Sequence, residues 1–115
     1  MVEKFVSRIG DIGVRELIQK DRGYSAVLFF DYHSIPCDHF RPEFQVFAKE
    51  MRMVFCAELV CDENPTITDE LGVSAVPTTL LFKGGKELGR WEGPYSYEAL
   101  KERVIETIKN WKKRA

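Results

Sequence analysis

The sequence has little with which to build a disulfide framework or a membrane anchor. Its three cysteines are an odd number, and too few to staple a domain of 115 residues. Small secreted scaffolds are far denser in cysteine, so this usage points to a reducing, cytoplasmic setting. No apolar run approaches the ~20 residues that a membrane span needs, and no membrane partner is expected. The start, MVEKFVSRIGD, lacks a basic segment followed by an apolar stretch, so no secretory leader is read there. Net charge is only −1, which gives no general drive toward nucleic acid, and no base-reading motif is present. Repeats, linkers and low-complexity tracts are also missing.

What is present is an ordinary globular composition, 44% hydrophobic and 30% charged. A single domain over residues 1–115 with one core is expected. Phe5 to Ile9 reads as a short edge strand ending at Gly10. Asp11 is placed to cap a helix carrying Val14, Leu17 and Ile18, which Gly23 stops. Ser25 to Tyr32 contains Val-Leu-Phe-Phe, apolar on both faces, as a central strand covered on each side would be. A polar bend, Ser34-Ile35-Pro36-Cys37, then delivers the chain to a helix. Phe40, Phe44, Phe47, Ala48 and Met51 share one face of it, and Pro42 is expected to kink it.

Met53 to Val60 is a second central strand, broken only by Glu58. Asn64-Pro65 reads as a cap followed by a first-turn proline, opening a short helix that ends at Gly72. Thr78 to Phe82 and Glu87 to Trp91 flank Lys83-Gly84-Gly85-Lys86, a strong hairpin signal. Ser96 is placed to cap a last helix with Leu100, Val104, Ile108 and Trp111 on one face. The basic end, Lys-Asn-Trp-Lys-Lys-Arg-Ala, complements that helix's negative pole. The order β-α-β-α-β-α-β-β-α implies an α/β fold. Right-handed crossovers make the first three strands parallel, with the hairpin antiparallel beside them in a mixed five-stranded sheet flanked by helices on both faces.

Several features together resemble the thioredoxin family. The junction Ala26 to Cys37 ends in Pro36-Cys37, and Pro42 follows five residues later. The run Ala57 to Pro65 resembles the family's third strand and following loop. Leu71 to Thr78, with Val76-Pro77-Thr78, resembles the segment that sets a cis-proline opposite the active site. Phe82-Lys83-Gly84-Gly85 is similar to the family's hairpin, and Gly93 to the glycine before its last helix. By this resemblance the Val76–Pro77 bond is cis, and Ala75 and Val76 face an extended substrate segment.

The same resemblance exposes departures. Ser34 stands where the family carries its attacking cysteine, leaving Cys37 as the second of the pair. His33 stands where many members have tryptophan. Leu28 replaces a buried aspartate beneath the active site, and Glu58 replaces a lysine near it. Dithiol exchange needs one thiol to attack and a second to resolve the mixed disulfide, and a serine hydroxyl is far too weak an acid for the first task. Ser34 can instead cap the helix. Cys37 is either a single redox thiol or a shielded one, with Ile35 able to close access to it. Glu58 either projects below Cys37, where it can accept the thiol proton or raise the thiol pKa, or meets solvent or a lysine.

Cys56 and Cys61 read as core thiols on opposite faces of one strand. His33, Cys37 and His39 surround the bend, but their spacing matches no metal signature. No metal and no cofactor are expected, and His33 reads as an exposed group beside the groove. Two readings follow. The first is a one-thiol redox or thiol-binding role through Cys37, with protein thiols or glutathione as partners. The second is a non-catalytic module that holds an extended peptide against His33, Ile35, Pro36, Ala75, Val76 and Pro77. A third reading is a homodimer, formed through an aromatic rim of Tyr32, Trp91, Tyr95 and Tyr97 or a Cys37–Cys37 disulfide.

Overall fold

Central position in the sheet follows from side-chain character. Only a strand apolar on both faces can be covered twice. In a computed structural model, which describes residues 5–20 and 23–114, the strand with that pattern lies third of five. The leader reading over residues 1–4 and the terminal Ala115 lie outside the described residues. The elements are β1 (Val6–Arg8), α1 (Asp11–Gln19), β2 (Tyr24–Phe30), α2 (Ile35–Glu50), β3 (Val54–Val60), α3 (Pro65–Glu70), β4 (Thr78–Lys83), β5 (Lys86–Glu92) and α4 (Tyr97–Arg114). The sheet order is β1-β3-β2-β4-β5. Strands β1, β3 and β2 are parallel, while β4 and β5 run antiparallel to their neighbours, as the crossover argument requires.

Alternation splits the core. Ala26, Leu28 and Phe30 share one cluster with Phe40, Phe44 and Phe47 of α2 and Leu100 and Val104 of α4. Val27 and Phe29 pack in the other cluster with Val14 of α1, Ile67 of α3, Ala57, Leu59 and Leu80. Each fully buried Leu or Phe contributes about 2 kcal/mol. Cys56 and Cys61 fall into opposite clusters, both buried, with Cys61 just past the end of β3 in a single 3₁₀ turn. Pro42 lies within α2, which runs on through it to Glu50.

The hairpin loop is Gly84-Gly85 between paired Lys83 and Lys86, with φ of 57° and 79°. Positive φ at both central positions is what a two-residue hairpin of matching twist needs. At Gly85 a Cβ would also come within 2.7 Å of the Ile18 carbonyl oxygen.

Two capping expectations are corrected. Asp11 does not cap α1. It is the first helical residue, Gly10 holds the cap position, and the Asp11 carboxylate pairs with Arg15. Asn64 does precede Pro65, but its side chain does not cap α3. Its Oδ1 accepts the Asp11 N–H at 3.0 Å, and its Nδ2 donates to the Val60 carbonyl at 3.0 Å. The amide thus serves the start of α1, across 53 residues, and ties it to the end of β3. Ser96 does cap α4, accepting the Ala99 N–H at 3.2 Å, and Glu43 of α2 adds a second cap by accepting the Tyr97 N–H at 2.9 Å.

Candidate functional site

The carboxyl end of β2 delivers Asp31 to Ser34 to the amino end of α2. Ser34 takes the cap position in extended backbone, and its Oγ accepts the Cys37 N–H at 3.3 Å. Pro36 sits in the first turn, where a missing N–H costs nothing. His33, Ile35 and Pro36 are exposed. Ile35 is 72% exposed, its side chain largely in solvent. Cys37 is nonetheless 0% exposed, part of the core cluster that holds Leu28 and Phe40.

The Val76–Pro77 bond is cis. Ala75 is exposed, Val76 is half-buried against the cluster that contains Cys37, and Pro77 is buried. The Thr78 hydroxyl donates to the Ala75 carbonyl at 2.6 Å, and the Gly93 N–H donates to the Pro77 carbonyl at 2.8 Å. Upstream, Arg90 of β5 donates to the carbonyls of Leu71 and Gly72 at 2.5 and 2.9 Å, holding the carbonyl end of α3. Among the described residues no backbone hydrogen bond outside helices and strands engages Val76.

Leu28 is fully buried, in the core cluster that also holds Cys37. Its antiparallel partner is Thr79, also 0% exposed, whose Oγ1 has no hydrogen-bond partner. The parallel partner of Leu28 on β3 is Glu58.

Glu58 is neither in solvent nor paired with a lysine. It is 7% exposed, and two arginines hold it. Arg8, its register partner on β1, donates to Oε1 from Nε at 3.2 Å and from Nη2 at 2.8 Å. Arg41 of α2 donates from Nη2 to Oε1 at 3.2 Å and from Nε to Oε2 at 3.3 Å. Both carboxylate oxygens are thereby engaged by guanidinium groups, which leaves Glu58 ill placed as a proton acceptor for Cys37. Arg8 also donates to the Tyr32 hydroxyl at 2.7 Å. Partial burial alone would lower the Arg8 pKa, but the hydrogen bonds to Glu58 and Tyr32 outweigh it and the net shift is upward.

Sequence reasoning singled out neither Arg8, Arg41, Arg90 nor Thr79. For the first two a signal existed: one carboxylate inside an apolar strand demands a cation from a neighbouring element. Of the other thiols, burial pushes Cys56 up to about 12 and Cys61 up to about 11. No group of three or more histidine, cysteine or acidic side chains is gathered as a metal site among the described residues. No helix is long and apolar enough to cross a membrane, again among the described residues.

A family model described as Thioredoxin matches residues 13–106. The chain belongs to the thioredoxin family. A thioredoxin of Alicyclobacillus acidocaldarius subsp. acidocaldarius is 30% identical over 99 residues, covering 85% of this chain and 93% of that protein. A protein disulfide-isomerase relative of Schizosaccharomyces pombe is 26% identical over 113 residues, and the match covers 90% of this chain but only 22% of that longer protein. The crystal structure of thioredoxin from Trypanosoma brucei brucei superposes with a TM-score of 0.80 at 22% identity, covering 95% of this chain and 97% of that one. At that identity the likeness bears on the fold. Within this thioredoxin frame the bend Ser34-Ile35-Pro36-Cys37 is the feature to be explained.

Proposed function

We propose that this thioredoxin-family chain serves thiol–disulfide homeostasis in the cytoplasm as a one-thiol protein. Its partners are protein thiols presented on extended segments, or glutathione. The segment lies along Ala75-Val76-Pro77, flanked by His33, Ile35 and Pro36, and Cys37 is the thiol that reacts. In the reaction the Cys37 thiolate attacks a partner disulfide. One S–S bond forms, one breaks, and the partner's other sulfur leaves as thiolate. With a hydroxyl at Ser34 nothing in the bend resolves the mixed disulfide, so it persists until an outside thiol attacks it. Dithiol reductase turnover is accordingly weak or absent.

The observation that carries this reading is the shared cluster. Cys37, in the first turn of α2, belongs to an apolar cluster against which Val76 also packs, and this supports a reading in which the thiol and the Val76–Pro77 segment serve one site. The three unpaired cysteines agree with a reducing compartment. A pull-down under non-reducing conditions tests it, with wild type beside Cys37→Ala. Partners lost with the thiol support capture by disulfide.

One observation favours a second reading. A sulfur at 0% exposure is attacked only after the groove opens around it. If it stays shut, the chain is a non-catalytic peptide-binding module with Cys37 as packing. Partners retained by Cys37→Ala support that module.

A further inference from the structure

The pairing around Glu58 holds more positive charge than the carboxylate requires. One buried anion faces two guanidinium groups, so the cluster retains a charge of about +1. Among the described residues no other carboxylate lies within ion-pair distance of Arg8 or Arg41. Each guanidinium has five N–H donors. Arg8 uses three, on Glu58 and Tyr32, and Arg41 uses two, on Glu58. Both side chains are partly in solvent, at 41% and 31% exposure.

The pair is also held in place. Arg41 lies 4.3 Å over the Phe30 ring and 5.5 Å from the Tyr32 ring, and Arg8 lies 5.2 and 5.6 Å from the same two rings. Such stacking and the Glu58 forks reduce the ordering cost of binding an anion. The position matters too. Arg41 follows Cys37 by four positions on α2, about one turn, so the two lie about 6 Å apart along the helix axis. Tyr32, 48% exposed and next but one to Ser34 in the chain, accepts from Arg8 at 2.7 Å.

We propose that Arg8 and Arg41 form a carboxylate-binding site beside the bend, which selects thiol partners that carry a negative charge about one helical turn, roughly 6 Å along the α2 axis, from the reacting Cys37. The inference rests on the reading that partners meet the chain at the Ser34–Cys37 bend. The carboxylate comes either from glutathione or from an acidic side chain on a protein segment. Guanidinium groups suit it because their planar forks match carboxylate geometry.

The test uses probes that do not react with thiols, so it stands apart from the reactivity of Cys37. S-methylglutathione and an acetylated, amidated tetraglutamate peptide are titrated into the protein while the arginine Nε–H resonances are followed by NMR. The tetraglutamine peptide is the control. Saturable shifts at Arg8 and Arg41 are expected with one or both acidic probes, and none with glutamine. Saturation by S-methylglutathione alone assigns the site to the small thiol, and by the peptide alone to a protein segment. Arg41→Gln is expected to weaken binding at least fivefold. Glu58→Gln, which removes the competing carboxylate, is expected to bind at least as tightly as wild type. A damaged fold would weaken both variants alike. No saturable shift, equal shifts with glutamine, unchanged affinity in Arg41→Gln, or parallel losses in both variants overturns the site.

Discussion

The Ser34 hydroxyl accepts the Cys37 backbone N–H at 3.3 Å, so Ser34 caps the helix that carries Cys37 in its first turn. Ser34→Ala is expected to lower stability by about 1 kcal/mol through loss of that cap. Ser34→Cys is expected to raise insulin reduction sharply over a near-background wild type, because it restores both thiols of the exchange. No gain would mean that Leu28, His33 or the closed surface over Cys37 disables the site further. Denaturant melts and an insulin turbidity assay check both.

Glu58 anchors two cations, and its loss should be felt in stability more than in thiol chemistry. Glu58→Gln is expected to cost about 1–3 kcal/mol, less than a fully buried pair because both arginines are partly in solvent. The pH dependence of Cys37 alkylation is expected to overlay that of wild type, since both Glu58 oxygens are occupied by Arg8 and Arg41. A displaced alkylation curve would return Glu58 to a direct role at the thiol.

The frame was legible in the sequence where local rules dominate. Val-Leu-Phe-Phe announced a strand covered on both faces, Gly84-Gly85 a tight hairpin, and Ser34 and Ser96 helix caps, and each holds. What stayed hidden were choices of partner over long separations. Asn64 has a side chain fit to cap its own helix, yet Asp11, 53 residues away, takes its Oδ1. Glu58 demanded a cation, but only the β1–β3 register selects Arg8. The burial of Cys37 likewise depends on how α2, α4 and the sheet close together, which no single stretch encodes.

The unpartnered Thr79 hydroxyl gives a prediction of opposite sign. A buried donor without a partner is destabilising, so Thr79→Val, of similar shape, is expected to be neutral or to stabilise by about 1 kcal/mol. A loss of 2 kcal/mol or more, on the order of the desolvation penalty of a hydroxyl, would show that Thr79 has a partner in solution. Chemical denaturation measures the difference.

Alkaline pH should weaken the fold through the buried thiols. Burial holds Cys56 at about 12 and Cys61 at about 11, against an ordinary value of 9.0. Below pH 9 both folded and unfolded chains keep these protons. Above it the unfolded chain releases them first, so stability falls as pH rises from about 9 toward about 11 for Cys61 and about 12 for Cys56. The limiting slope is about 1.4 kcal/mol per pH unit for each group. Melting temperatures from pH 8 to 10.5 should decline, and Cys56→Ala should decline less steeply from a lower start. Parallel slopes would contradict the assignment.

The one-thiol account is tested most directly by incubating the native protein with oxidised glutathione and locating the adduct by intact mass and peptide mapping. One glutathione on Cys37, absent in Cys37→Ala and removed by added thiol, is the predicted result. A native protein whose Cys37 stays unmodified would contradict the account and leave the groove as a binding surface alone.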